Sequence, residues 1–318
     1  MCCISAKLFG DFSNIFVNKI RFCYYITMEV KIAEICGLCN GCKRAIDTVI
    51  KELDNNQKVV IFKEIVHNKN VNKMLINSGA ITLDKLEDLD KSQLVVLRGH
   101  GEPPEVYDYL KTNGINYNDC TCPNVTNIHN NIEKYSSMGY EIILLGKHKI
   151  AMHPEVYGSI GWSKTHCHLI EDEEDIINLT FDKTKKYYII CQTTFNISKA
   201  EKYIDMLKEK LKSCEVVVNK SLCSAQKQIN QSSAILAQEV DLMIVVGGKN
   251  SSNSKELFNN VSTICPSIFI EDIYKFKEEL KQVGITLTSQ SKIGITAGAS
   301  TMKEELAILK QLLEENII

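Results

Sequence analysis

Residues 241–261, DLMIVVGGKNSSNSKELFNNV, carry the pattern on which the fold turns. An apolar run of strand length ends in two glycines, a polar loop follows, and KELFNNV resumes with helical spacing. Working outward, strands of the same kind read at 30–35 (VKIAEI), 58–65 (KVVIFKEI), 93–99 (QLVVLRG), 140–146 (YEIILLG), 186–192 (KYYIICQ), 215–221 (EVVVNKS) and 292–298 (KIGITAG). Each runs into a loop of small or polar residues, and amphipathic helices follow most of these loops. A further helix follows the loop DCTCP at 119–123. Strand and helix in alternation predict an α/β chain with parallel sheets covered by helices. In such sheets ligands lie beyond the carboxyl ends of the strands, so the strand-to-helix loops are where chemistry is expected.

The composition limits what that chemistry is. With 44% hydrophobic and 24% charged residues in 318, the chain can bury two or three lobes and is not disordered. Its 37 basic and 39 acidic side chains leave a net charge of −2, so bulk electrostatic binding of nucleic acid is excluded. No apolar run approaches the ~20 residues of a membrane helix, and no membrane partner is expected. Thirteen cysteines, an odd number with no secretory pattern ahead of them, suit a reducing compartment. Residues 1–27 differ in composition from the rest of the chain. They read as an extension, disordered or added by a mis-assigned start, with a transit peptide as the alternative. A bacterial cytoplasmic protein is the expectation, and a plastid-type organelle applies only if the transit-peptide reading holds.

Cys39, Cys122 and Cys223 each stand at the start of a helix, one in each third of the chain. Helix N-termini favour thiolates. Three such thiolates can hold three irons of a [4Fe–4S] cluster and leave the fourth open. Spacing alone also admits a ferredoxin-like run through Cys36, Cys39 and Cys42 with Cys122 before Pro123, or zinc on the same thiols with Cys120.

The other loops suit an anion. Of seven histidines, His67, His100 and His153 directly follow strands and can donate to one polyanion. His129 lies within a helix and reads as a packing or surface residue; His166 and His168 read as surface. Ser251, Ser252 and Asn253 open a helix after Gly247 and Gly248, a natural phosphate position. ITAGAST supplies Ser300 in a similar place, with Thr301 and Glu304 spaced as a capping box. Two loops and three histidines fit a diphosphate better than one phosphate. Glu155, two residues after His153, is the candidate general acid, and Thr193 offers a hydroxyl to orient it. No flavin or nicotinamide fingerprint is present, so electrons would have to come from another protein.

In order along the chain, GLCNGCKRAI, EIVHN, RGHG, TCPNVT, HPEV, QTT, LCSAQKQ, VGGKNSSNS and TAGAS resemble the 4-hydroxy-3-methylbut-2-enyl diphosphate reductase (LytB) family over about residues 29 to 310. The resemblance implies a pseudo-threefold trefoil of three α/β lobes around a central iron–sulfur site, with lobes at 28–122, 123–222 and 223–318. It implies one [4Fe–4S] cluster on Cys39, Cys122 and Cys223, leaving Cys36, Cys42 and Cys120 as bystanders. It further implies diphosphate contacts from His67, His100, His153, Ser251, Ser252, Asn253 and Ser300, a proton relay at Glu155, and a substrate-orienting Thr193. The implied reaction is the reductive dehydroxylation of (E)-4-hydroxy-3-methylbut-2-enyl diphosphate to isopentenyl and dimethylallyl diphosphate, the last step of the non-mevalonate pathway. A ferredoxin or flavodoxin is the implied donor. Residues 146–153 form a longer loop than the family pattern carries, and Cys42 stands where that pattern has a small or aliphatic residue.

Overall fold

The computed structural model describes residues 28–315; the extension at residues 1–27 lies outside them. Among the described residues, twelve strands form three four-stranded sheets, every pair parallel. One sheet holds β2 (Val59–Phe62), β3 (Ile81–Leu83), β4 (Leu94–Leu97) and β5 (Tyr117–Asp119) in the order β3-β2-β4-β5. A second holds β6 (Tyr140–Leu145), β7 (Cys167–Ile170), β8 (Lys186–Cys191) and β9 (Glu215–Asn219) in the order β7-β6-β8-β9. The third combines β10 (Leu242–Val246), β11 (Ser267–Ile270) and β12 (Lys292–Ala297) with β1 (Glu29–Ile32), which pairs with β12 from Glu29↔Lys292 to Ile32↔Ile295.

Traced from its second strand, every sheet therefore runs second, first, third, fourth, and in the third sheet the fourth place is filled from the amino-terminal end. This corrects the segment 28–122 as a single lobe. Residues 29–32 belong with the carboxyl-terminal sheet, because β12 offers an open edge and β1 buries Val30 against that core. Parallel strands need a crossover between them but no particular position in the chain.

The helices are α1 (Asn40–Asp54), α2 (Lys69–Asn77), α3 (Pro104–Thr112), α4 (Pro123–Ser137), α5 (Pro154–Ile160), α6 (Glu173–Asn178), α7 (Ile197–Lys210), α8 (Ser224–Ala237), α9 (Ser252–Ser262), α10 (Phe276–Gln282) and α11 (Lys303–Glu315). They cover both faces of the sheets, and the central strands are accordingly rich in buried apolar residues. All five residues of β10 are buried, as are all four of β2. In packing this close a change such as Ile244→Ala is expected to cost roughly 2–5 kcal/mol. Each lobe has its own core, which makes the lobes a rigid frame for the loops between them.

Candidate active site

The internal repeat sorts the candidate residues by strand. After the fourth strands β1, β5 and β9 come Cys39, Cys122 and Cys223, and each is the residue that caps α1, α4 or α8. After the first strands β2, β6 and β10 come His67, His153 with Glu155, and Ser251 to Asn253. After the third strands β4, β8 and β12 come His100, Thr193 and Ser300. All twelve residues line one pocket, at the carboxyl ends of the three sheets. Cys42, Asn124 and Gln226 line it too.

At the thiol end, a helix N-terminus faces each cysteine, and each helix favours a thiolate by about 0.3–1 kcal/mol. The Cys42 thiol and main-chain N–H both point at Cys39, the N–H at 3.4 Å, and they hold the Cys39 thiol below its ordinary range. Cys42, bonded to that thiolate and desolvated, is pushed well up. Burial pushes Cys122 up. Cys223 accepts from Asn124 Nδ2 at 3.5 Å. A Cβ added at Gly41 would sit 3.2 Å from Cys122 Sγ and 3.8 Å from Cys39 Sγ, so the glycine keeps the space between two thiols clear. Three cysteines that line one pocket, with space kept clear beside Cys39 and Cys122, suit an iron–sulfur cluster with one iron unclaimed by protein.

At the opposite end the rings of His67, His100 and His153 lie 4.6, 5.6 and 5.9 Å apart between centroids. Burial pushes all three pKa values down, His153 to about 3, with the Arg98 charge adding to the effect. Their ligand atoms lie within 4.8 Å of one another, a spacing at which neutral imidazoles can hold a dication. His153 argues otherwise. Its Nδ1 caps α5 by accepting from the Glu155 N–H at 3.2 Å, which leaves the ring proton on Nε2 and makes that nitrogen a donor. The buried His100 Nδ1 and Asn253 Oδ1 have no hydrogen-bond partner among the described residues. Turning the Asn253 amide over presents an N–H at the same place, so the rim offers unused donors to an anion.

Glu155, 3% exposed, links the two groups: its N–H donates to His153, and its carboxyl accepts from Thr193, whose main-chain oxygen accepts from the Cys223 N–H at 2.9 Å. Thr193 donates its main-chain N–H to Oε1 at 2.6 Å and its hydroxyl to Oε2 at 2.7 Å. Burial raises the pKa and these two bonds lower it; burial prevails, and the carboxyl is pushed up to about 7. An acid that releases its proton near neutrality is matched to general acid catalysis.

The family model described as LytB protein matches residues 30–314. The chain belongs to the LytB family. The 4-hydroxy-3-methylbut-2-enyl diphosphate reductase of Clostridioides difficile (strain 630) is 36% identical over 275 residues, covering 86% of this chain and 95% of that protein. The protein of that name from Caldanaerobacter subterraneus subsp. tengcongensis is 33% identical over 298 residues, covering 91% and 99%. Among solved structures, the E-1-hydroxy-2-methyl-but-2-enyl-4-diphosphate reductase of Plasmodium falciparum superposes with a TM-score of 0.80 at 27% identity, covering 90% and 88%. A solved (E)-4-hydroxy-3-methyl-but-2-enyl diphosphate reductase, described as the terminal enzyme of the non-mevalonate pathway, gives 0.67 at 29%, covering 91% and 99%.

Within this LytB chain some residues take other roles than their spacing suggests. Thr301 does not cap α11: its hydroxyl donates to Val246 O at 3.2 Å, because α11 starts at Lys303, two residues later. Cys36 and Cys120 stay outside the pocket, the first donating to Ala33 O and the second packed in the core under β2. Cys42, a bystander by resemblance like those two, does line the pocket, since it lies one turn beyond Cys39 on α1. His129 is buried and stacks on Trp162, with centroids 5.2 Å apart. His168 is half-buried in β7 and pairs with Glu141 at 2.8 Å. In the longer loop at 146–153 His148 turns toward Gly146 O and Glu171 and stays out of the pocket lining, while Glu155 is part of it.

Proposed function

We propose that the chain is a 4-hydroxy-3-methylbut-2-enyl diphosphate reductase, converting its allylic substrate with two electrons and two protons into water and either isopentenyl or dimethylallyl diphosphate. The observation that carries this reading is the shared pocket: three helix-capping thiols from three lobes at one end, a histidine, serine and asparagine rim at the other, and a buried acid that links them.

Cys39, Cys122 and Cys223 would hold a [4Fe–4S] cluster, which when bound supplies single electrons and one Lewis-acidic iron corner. His67, His100, His153, Ser251, Ser252, Asn253 and Ser300 grip the diphosphate, and that anchoring turns binding energy into orientation of the reacting carbon. Thr193 holds the Glu155 carboxyl in one orientation and lies beside the hydroxyl to be removed. Glu155 gives its proton to that hydroxyl, which departs as water, and a second proton at either end of the three-carbon unit sets which isomer forms. Burial of Glu155 keeps the proton on the acid until it is needed. Electrons arrive from a ferredoxin or flavodoxin.

Anaerobic turnover of the hydroxylated C5 diphosphate with a strong one-electron reductant, run beside iron and sulfide analysis, tests the reading. Loaded protein that leaves the substrate intact, or protein that binds no iron after reconstitution, would reject it.

A further inference from the structure

Glu102 is a fully buried carboxylate outside the pocket lining. Its Oε1 accepts from Arg98 Nε at 2.7 Å and its Oε2 from Lys63 Nζ at 3.0 Å. Arg98 lies two residues before His100, and Lys63 follows β2, four residues before His67. The main-chain oxygen of Glu102 accepts from Trp162 Nε1 at 3.1 Å, just beyond α5, the helix that His153 caps. The Lys63 ammonium also lies 5.4 Å from the ring centre of Tyr157 within α5. One residue is thus tied to all three histidine-bearing segments, across two lobes.

We propose that Glu102 is a positioning residue that sets the spacing of the three-histidine cradle and, through it, the affinity for the diphosphate group. The inference rests on the diphosphate reading given under the proposed function. Two further features fit a segment held in one conformation. Lys63 adopts a left-handed backbone with φ of 64°, rare for a lysine and kept only where neighbours impose it. Gly101, also left-handed, has no room for a side chain, since a Cβ there would lie 2.4 Å from His129 Cε1.

A carboxylate that merely neutralises two cations behaves differently. Removing its charge leaves Arg98 and Lys63 unpaired beside the anion site, which by Coulomb attraction tightens anion binding. Loss of positioning loosens it. The sign of the change separates the two roles.

The experiment uses the full chain with its iron–sulfur group reconstituted and inorganic pyrophosphate as the calorimetric probe. Glu102→Gln is expected to weaken pyrophosphate about tenfold and to raise KM for the substrate by a similar factor, while kcat falls less than threefold. Trp162→Phe removes one tie without changing charge, and is expected to weaken pyrophosphate about threefold; it decides the matter if Glu102→Gln does not fold. Affinity that is unchanged or tighter in Glu102→Gln, or unchanged in Trp162→Phe where only that variant folds, overturns the role given to Glu102. Failure of the parent protein to bind pyrophosphate would instead remove the diphosphate reading, and this inference with it.

Discussion

Thr193 bonds both oxygens of Glu155, N–H to Oε1 at 2.6 Å and hydroxyl to Oε2 at 2.7 Å, although Glu155 opens α5 after β6 and Thr193 sits on the loop after β8. Both segments leave the carboxyl ends of neighbouring strands in one sheet, where Leu145 pairs with Cys191; Thr193 follows two residues after its strand and Glu155 ten residues after its own. Both bonds come from donors and favour the carboxylate, while burial opposes it and leaves the pKa near neutrality, at about 7. Replacing Glu155 by Gln keeps the shape and removes the proton. Turnover is expected to fall by roughly 10²–10⁴-fold while diphosphate affinity stays within a few-fold. Steady-state kinetics beside product-binding measurements check this, and near-normal turnover would take Glu155 out of the reaction.

Thr193→Val takes away only the hydroxyl donor. The ionised form of Glu155 loses a charge-assisted bond, so its pKa moves further up, by about one pH unit for a bond of ordinary strength. The rate of the parent is expected to decline as pH rises through about 7, where the acid loses its proton. In the variant that limb moves to higher pH. A limb that stays put, or moves to lower pH, contradicts the pairing as the control on this acid.

Gly41→Ala and single cysteine changes test the thiol end without any turnover measurement. Cys39→Ser, Cys122→Ser and Cys223→Ser are each expected to lose most of the bound iron. Cys36→Ser and Cys120→Ser, lying outside the pocket, are expected to retain it. At Gly41 the added methyl would press between Cys122 and Cys39, so iron loading is expected to fall by half or more. Thermal unfolding of the iron-free chain, run alongside, separates loss of loading from loss of fold. Normal loading in Gly41→Ala would mean that the cleared space serves something else.

Eight of the twelve strands among the described residues were legible from apolar runs such as LVVL and LMIVV, and with them the parallel α/β class and the loops that line the pocket. The four that escaped, β3, β5, β7 and β11, all lie at sheet edges. An edge strand is buried less and pairs on one side only, so ITL at 81–83 and YND at 117–119 carry no apolar signature. The exchange of β1 into the last sheet was hidden for another reason: local sequence specifies a strand and says nothing about which open edge it fills. Cys39, Cys122 and Cys223 were legible as helix-start thiols, whereas Cys42 was not, because its neighbourhood depends on how α1 is turned toward the pocket. Glu102 escaped too, since it is one residue of the loop after QLVVLRG and its ion pairs reach to Lys63 in another loop.

The anion end should take up protons when it fills. His67, His100 and His153 are held below their ordinary range by burial, so they are neutral at pH 7 in the open pocket. A nearby diphosphate favours their charged forms and raises those values. Calorimetry of a diphosphate monoester product at pH 7.5, in two buffers of different ionisation enthalpy, is expected to show net proton uptake, with affinity weakening as pH rises. Proton release would reverse the assignment. In the same assay Ser251→Ala combined with Asn253→Ala is expected to raise KM tenfold or more, with a smaller change in kcat.

Glu155 also leaves a mark on stability, and its sign is fixed. The carboxyl has an ordinary value of 4.5 and about 7 in the folded chain. Below 4.5 both states are protonated and the group has no effect. Between 4.5 and 7 the unfolded chain ionises while the folded chain retains its proton, so stability falls as pH rises, by up to about 3 kcal/mol in total. Above 7 the loss is complete and constant. The buried histidines slope the other way, because the unfolded chain binds protons that the folded chain refuses below about 6.5, but they do so equally in parent and variant. Urea unfolding of the iron-free chain from pH 4.5 to 8 should therefore show Glu155→Gln gaining on the parent steadily up to about pH 7 and then running parallel to it. Parallel curves across the whole range would mean that the carboxyl ionises freely in the fold, and the case for it as a proton-holding acid would go with them.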